Sequence, residues 1–293
     1  MSKKNAAQLK EKKIMACFGA GKIFNWLGEE STVIKSDKPT TSSGECKTDI
    51  YIEVKNKKGE KNEIKISVKL DNADFLENKI SYERARLLFG NDCNEIISRS
   101  TKTIDMKFHS DPLINFKKQT IILGWKFELL NKKSGHKSGE LHLTPDQILD
   151  VYAGTNLPDE KKNAIVNGES INNSGVANYI LTIGEQEDLT TQEYADRLIP
   201  INEYTNGKKI YFACKALNYR IKEDKWDGDR PLAVYINWTI NTKNKLKAEF
   251  VFSNPLKTKG NEVGTNLKNK LKALGINSNN FMSLVNDWEK SSL

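Results

Sequence analysis

The sequence predicts a mixed α/β (α+β) fold, with a central mixed β-sheet flanked by helices. Three observations predict it. Segments with apolar residues every three or four positions alternate with segments of period two. Thr144-Pro145-Asp146-Gln147 and Thr190-Thr191-Gln192-Glu193 carry the Thr-x-x-Gln/Glu pattern that caps a helix, the first with proline at the opening helical position. A polar turn containing Gly59 separates two strand-like runs, 50–54 and 64–70. Helices interspersed with strands point to a sheet covered by helices.

Taken in order, residues 3–27 read as a helix on the spacing of Leu9, Ile14, Cys17, Phe18, Ile23, Phe24 and Leu27, stopped by Gly28. Residues 28–48, rich in Ser, Thr, Gly and Lys, read as loop. The hairpin follows. Residues 73–89 read as a second helix with Phe75, Leu76, Ile80, Leu87 and Leu88 on one side, closed by Gly90-Asn91-Asp92. Residues 120–129 read as a buried strand and 135–139 as a turn. Helices start at the two capping boxes. Strands follow at 209–217, 232–240 and 246–253, the last two joined across Asn241-Thr242-Lys243-Asn244. Helices at 264–274 and 279–289 end the chain, parted by Gly275.

With 293 residues, 38% of them hydrophobic and 29% charged, the chain has ample material for a core. No apolar run approaches the roughly 20 residues that span a bilayer. The start, Met1-Ser2-Lys3-Lys4-Asn5, lacks a signal-peptide pattern, so the expected location is the cytoplasm. Cys17, Cys46, Cys93 and Cys214 are scattered, which argues against a zinc site and for buried free thiols. His109, His136 and His142 form no recognisable catalytic or metal pattern. The net charge of +8 favours a polyanionic partner, although most positives are lysines and only six are arginines.

Folding the hairpin about Gly59 predicts that residue i faces residue 118−i, which sets Asp49 opposite Lys69 with Ser67 on the same strand face. A carboxylate and a lysine brought together on two strands can hold a divalent cation and orient a water. A rival Glu63-Ile64-Lys65 tripeptide satisfies the same pattern but lies near the turn, about six residues or roughly 20 Å of strand from Asp49. Phe18-Gly19-Ala20-Gly21-Lys22 superficially resembles a phosphate-binding P-loop, but Ala16 replaces the first glycine and no Ser or Thr follows Lys22. Trp226-Asp227-Gly228-Asp229 offers too few carboxylates for a calcium loop.

The stretch Gly44-Glu45-Cys46-Lys47-Thr48-Asp49-Ile50, followed by Ile66-Ser67-Val68-Lys69-Leu70, resembles the core of PD-(D/E)xK nucleases, in particular type II restriction endonucleases. The match covers roughly residues 40–70. The resemblance implies a restriction-endonuclease-like core, hydrolysis of phosphodiester bonds in double-stranded DNA with Mg²⁺, and a catalytic set of Asp49, Ser67, Lys69 and Glu45. Asp49 and Ser67 would hold the metal, and Lys69 would orient and help deprotonate the attacking water. Ser67 departs from the family pattern, which has a carboxylate there. A second acidic ligand could then come from Glu45, or from Glu11 on a preceding helix. A faint composition shift near 130–140 is the only candidate boundary, and it gives a catalytic region at 1–130 and a region at 131–293 contributing DNA recognition, unless the chain is one domain. A nuclease of this kind would be a monomer or homodimer and could have a cognate methyltransferase acting on the same DNA site. For DNA contact, Arg84 and Arg86 follow the hairpin, and the loop with Asn254, Lys257, Thr258, Lys259 and Asn261 combines cations for phosphates with groups that read base edges. A phage, homing or repair nuclease with the same core, and a non-catalytic nucleic-acid-binding protein with a degenerate one, are the alternatives.

Overall fold

In the computed structural model, which describes residues 3–42, 44–71, 74–78 and 80–289, helices and strands interleave as the sequence pattern requires. The chain begins with α1 (Lys3–Cys17), β1 (Ile23–Trp26), β2 (Glu29–Asp37), β3 (Ile50–Asn56) and β4 (Lys61–Leu70). Next come β5 (Phe75–Glu77), α2 (Tyr82–Phe89), α3 (Cys93–Lys102), α4 (Asp105–His109), β6 (Ile114–Asn115), β7 (Thr120–Leu130) and β8 (Ser138–Leu141). They are followed by α5 (Pro145–Ala153), α6 (Asp159–Lys162), β9 (Ile165–Val166), β10 (Glu169–Ser170), β11 (Tyr179–Ile183), α7 (Thr191–Asp196), β12 (Ile199–Pro200) and α8 (Ile201–Thr205). The last stretch holds β13 (Ile210–Arg220), β14 (Lys225–Trp226), β15 (Val234–Ile240), β16 (Leu246–Val251), α9 (Gly260–Ala273) and β17 (Trp288–Glu289).

The protein is mixed α+β, and the chain divides into two compact units. Each is made of two segments: 1–73 with 144–208, and 74–143 with 209–293. The sequence suggests one boundary at 130–131; the chain instead leaves the first unit after the hairpin and returns to it before α5.

In the first unit β9 and β10 pair separately as a two-stranded antiparallel ribbon, and six strands form a sheet in the order β1-β2-β3-β4-β11-β12. Its pairs are antiparallel except β4 with β11, so the sheet is mixed. Alternation decides its faces. Ile50, Ile52, Val54, Ile64, Ile66, Leu181 and Ile183 point to one side, where they pack with Ile14 of α1, with Phe18 just after it, and with Phe24 and Trp26 of β1. Burying a side chain of this size contributes roughly 1.5–3 kcal/mol. Tyr51, Glu63, Lys65, Ser67 and Lys69 fall on the other side. In the second unit, β14-β13-β7-β15-β16-β17 form a second sheet, with β5 and β6 paired to β7 and β8 to β13. Trp125, Phe127, Phe212 and Trp238 are fully buried there.

Both capping boxes form: Thr144 accepts from Gln147 N ahead of α5, and Thr190 from Glu193 N ahead of α7. The hairpin, the long strand β7 and the β15–β16 hairpin lie where expected. Other elements differ. The first helix ends at Cys17, and Ile23–Trp26 is a strand with alternating burial that turns at Leu27-Gly28 into β2, inside the expected loop. The expected helix at 73–89 is a short strand, β5, then α2, whose N-cap Ser81 accepts from Arg84 N; Ala73 lies outside the described residues. The stretch expected as a last helix is a 3₁₀ turn, Phe281–Val285, leading into β17. All four cysteines are free thiols, with Cys93 and Cys214 buried.

Candidate active site

The turn sets the register. Asn56 N donates to Glu60 O, Gly59 N donates to Asn56 O, and the Asn56 side chain accepts from Lys58 N and Glu60 N. This is a three-residue connection closed by Gly59 at φ +90°, a left-handed position that glycine occupies without strain. Gly59 therefore closes the turn and does not centre it. Lys55 pairs with Lys61 and Ile50 with Ile66, so residue i faces 116−i. The expected 118−i register is corrected by two residues. Asp49 comes level with Ser67, and Lys69 stands two residues further along on the same strand face.

The backbone brackets this juncture. Asp49 N donates to Ile66 O at 2.8 Å, and Val68 N donates to Asp49 Oδ2 at 2.8 Å. A side-chain oxygen thus takes the place of a ladder carbonyl, which orients the carboxylate beside Ser67. The Ser67 hydroxyl is buried and has no hydrogen-bond partner. The segment before Asp49 is fixed from behind, where Gly175 O accepts from both Lys47 N and Thr48 N.

Electrostatics bring more groups to the same place. Burial raises Asp49 above the usual carboxylate range, against the pull of the Lys69 ammonium, the Val68 N–H, Lys38 and Lys47. Glu11 on α1 is also raised, by burial and then by the neighbouring Asp49 carboxylate, with Glu45 adding to the effect. Lys38, just after β2, offsets both, and its Nζ forms an ion pair with Glu11 Oε2. The helix therefore supplies a carboxylate to the hairpin, and Lys38 is a functional candidate that the sequence does not reveal. Its signal cannot be separated from the other lysines, because only the fold carries residue 38 to residue 11.

The rival tripeptide is engaged elsewhere. Glu63 Oε1 accepts from the Tyr51 hydroxyl at 2.6 Å, and Lys65 Nζ lies 3.4 Å from Glu63 Oε2. Glu63 faces Glu53, and not Lys55 as the expected register requires.

Among the described residues, no three His, Cys, Asp or Glu side chains gather closely enough to hold a metal unaided. Mg²⁺ does not need such a cage. It commonly binds through one or two carboxylates and completes its shell with water and substrate phosphate. Glu11 and Asp49, mutually repulsive and partly desolvated, with the unpartnered Ser67 hydroxyl alongside, fit that requirement.

The residues expected at DNA lie in the second unit. Arg84 Nε and Nη2 both donate to Glu77 Oε1, at 2.9 and 2.8 Å, so this guanidinium is held within the unit. Arg86 is exposed on α2. Lys257 Nζ lies 5.2 Å from the centre of the Tyr82 ring, also on α2. Arg86 and Lys257 both act on the Cys93 thiol at the start of α3, and Lys259 acts on Glu83 of α2. Asn254 has a left-handed backbone, φ +52°, and is exposed. Thr258 O accepts from Leu232 N, and Asn261 N donates to Asp229 Oδ1; both anchor the loop. In the other rejected motif, Asp227 accepts from Asn218 and Arg220.

No protein-family model, curated protein or solved structure matches this chain.

Proposed function

We propose that the protein is a Mg²⁺-dependent, sequence-specific endonuclease of double-stranded DNA, with a restriction-endonuclease-like core in its first unit. The observation that carries this reading is the union of Asp49, Ser67 and Lys69 at one end of the hairpin with Glu11 arriving from α1. Two carboxylates, a hydroxyl and an ammonium at one spot suit a reaction that gathers anionic charge on a phosphate.

Asp49 and Glu11 would hold the cation, and Asp49 is aimed by the Val68 amide. The bound ion supplies Lewis acidity toward the phosphate and lowers the pKa of a coordinated water. Lys69 attracts the phosphoryl oxygens and orients the water, as a single-point ammonium on a flexible stem can. Ser67 offers its free hydroxyl to a water or to the ion. The exposed cations of α2 and the 254–261 loop suit phosphate contacts that hold DNA in register. Double-stranded DNA is thus the partner, and a methyltransferase of the same specificity would protect the host's copies of the site.

The test is cleavage of plasmid and phage DNA with Mg²⁺. Wild-type protein should yield discrete fragments with a common end sequence. Asp49→Ala and Lys69→Ala should each lose at least about 10²-fold in rate, the order seen when a charge-stabilising group is removed. Full cleavage by either variant overturns the assignment. Metal-independent DNA binding with no cleavage by wild type would instead favour a binding protein with a degenerate core.

A further inference from the structure

We propose that Lys38 is the resident counter-ion of the candidate cation site: its ammonium holds Glu11 when no divalent ion is present, and the ion displaces it on binding. This rests on the reading of Glu11 and Asp49 as the cation-binding carboxylates. It adds a residue that the nuclease reading does not require, and a cost that every binding ion must meet.

The backbone at Lys38 is fixed. Asp37 Oδ1 accepts from Lys38 N at 2.8 Å, while Asp37 Oδ2 accepts from Asn167 N at 2.7 Å. Two residues later, Thr40 and Ile165 exchange backbone hydrogen bonds of 2.9 and 2.8 Å. The start of the stem is therefore held by the backbone, and its end by the Glu11 carboxylate. The two partners differ in exposure: the Lys38 side chain is 47% exposed and Glu11 only 17%. The carboxylate stays inside and the ammonium sits on the solvent side, so the cation can leave without disturbing the fold.

The charges around the pair explain why a counter-ion is needed. Asp49 and Glu45 add negative field at both Glu11 and Lys38. Partial burial works against the Lys38 charge, yet Glu11 and then Asp49 hold its pKa above the ordinary lysine value. Without Lys38, Glu11 and Asp49 would repel each other with less to offset them. A divalent ion does the same work with two charges. It cannot take the inner position while the ammonium occupies the Glu11 oxygen, because two cations sharing one carboxylate repel. Lys69 differs, since it lies on the part of β4 paired with β11, opposite Thr182, and acts on Asp49.

The experiment is calorimetric titration of Mn²⁺ into DNA-free protein at low ionic strength, where screening is weakest. Wild type, Lys38→Met, Lys38→Arg and Asp49→Asn are compared, with thermal unfolding of each with and without Mg²⁺. Methionine keeps much of the stem and removes the charge. Lys38→Met should bind Mn²⁺ about tenfold tighter than wild type, equivalent to roughly 1.4 kcal/mol. Lys38→Arg should bind near the wild-type affinity. Lys38→Met should also unfold at a lower temperature without metal and gain more from Mg²⁺ than wild type does. A lysine that only supported the fold would lower stability without tightening metal binding. If wild type binds Mn²⁺ and Asp49→Asn does not, but Lys38→Met binds no more tightly than wild type, the counter-ion role is overturned and the nuclease reading stands. If neither wild type nor Lys38→Met binds the ion, both fall.

Discussion

Asp49 is held in a state that disfavours its charge, and this has a signed consequence for stability. Burial places its folded-state pKa, and that of Glu11, above the ordinary carboxylate values of 3.8 and 4.5. Between the ordinary and the raised values the folded protein binds more protons than the unfolded chain. Stability of the metal-free protein should therefore fall as pH rises through that window and level off above it. Asp49→Asn removes one of the two groups and keeps an oxygen for the Val68 amide. It should flatten that slope, raise the metal-free melting temperature at neutral pH and abolish stabilisation by Mg²⁺. Thermal melts from about pH 4 to 8, spanning the carboxylate range, check all three with and without Mg²⁺; a lower neutral-pH melting temperature for Asp49→Asn would contradict the charge strain. At this scale period-two spacing sets Ser67 and Lys69 on one strand face, but which of them stands level with Asp49 depends on the turn and is not legible from spacing. Glu11 is legible only as one of two candidates, since helix-to-strand proximity is not written in local spacing. Lys38 is not legible at all, because its ion pair spans 27 positions of sequence.

The elements that aim the site depend on one close backbone approach. A Cβ built on Gly175 would lie 1.9 Å from Lys161 O and 2.9 Å from Cys46 Cβ. The same glycine's carbonyl accepts from Lys47 N and Thr48 N, the residues that lead into Asp49. Gly175→Ala must push the lead-in segment or α6 aside. It should lower stability by about 1–3 kcal/mol, the usual cost of overpacking, and reduce cleavage by more than the unfolded fraction accounts for. Urea unfolding paired with cleavage rates separates the two effects, and wild-type values for both would refute the packing role. Strong local signals make elements legible: the capping boxes, the Gly59 hairpin and the long apolar strand β7. Short strands carry no such signal. Ile23, Phe24 and Leu27 continue the helical spacing of α1, while the alternation that marks β1 rests on Phe24 and Trp26 alone, so β1 merges with α1 in the sequence pattern. In β2, only Ser31 and Val33 of the first seven residues are buried, and its Ser, Thr and Lys content imitates a loop. Gly59 draws the centre of its turn to itself because any glycine permits a bend; the Asn56 side chain, which sets the actual turn, leaves no unambiguous mark.

Across the whole molecule, the candidate chemistry and the candidate DNA contacts belong to different units, and each unit is built from two separated segments. A single boundary near 130 misses this because composition does not record a chain that leaves a sheet after β4 and returns as β11, its parallel neighbour. The separation makes binding and chemistry independently removable. Arg86, Lys257 and Lys259 are exposed, and Lys257 lies against Tyr82 of α2, whereas Arg84 is spent on Glu77. A triple variant with Arg86→Ala, Lys257→Ala and Lys259→Ala should weaken DNA binding and reduce the slope of log affinity against log salt by about 2–3, close to 0.9 for each phosphate no longer neutralised. Its Mg²⁺-dependent stabilisation should match wild type, because Glu11 and Asp49 lie in the other unit. Arg84→Ala should behave oppositely. It leaves the salt slope unchanged and destabilises the protein by taking a charged, two-fold donor from Glu77, which is only 11% exposed. Binding isotherms at several salt concentrations distinguish the two variants. A slope that falls for Arg84→Ala but not for the triple variant would move the DNA-contacting face away from the 254–261 loop.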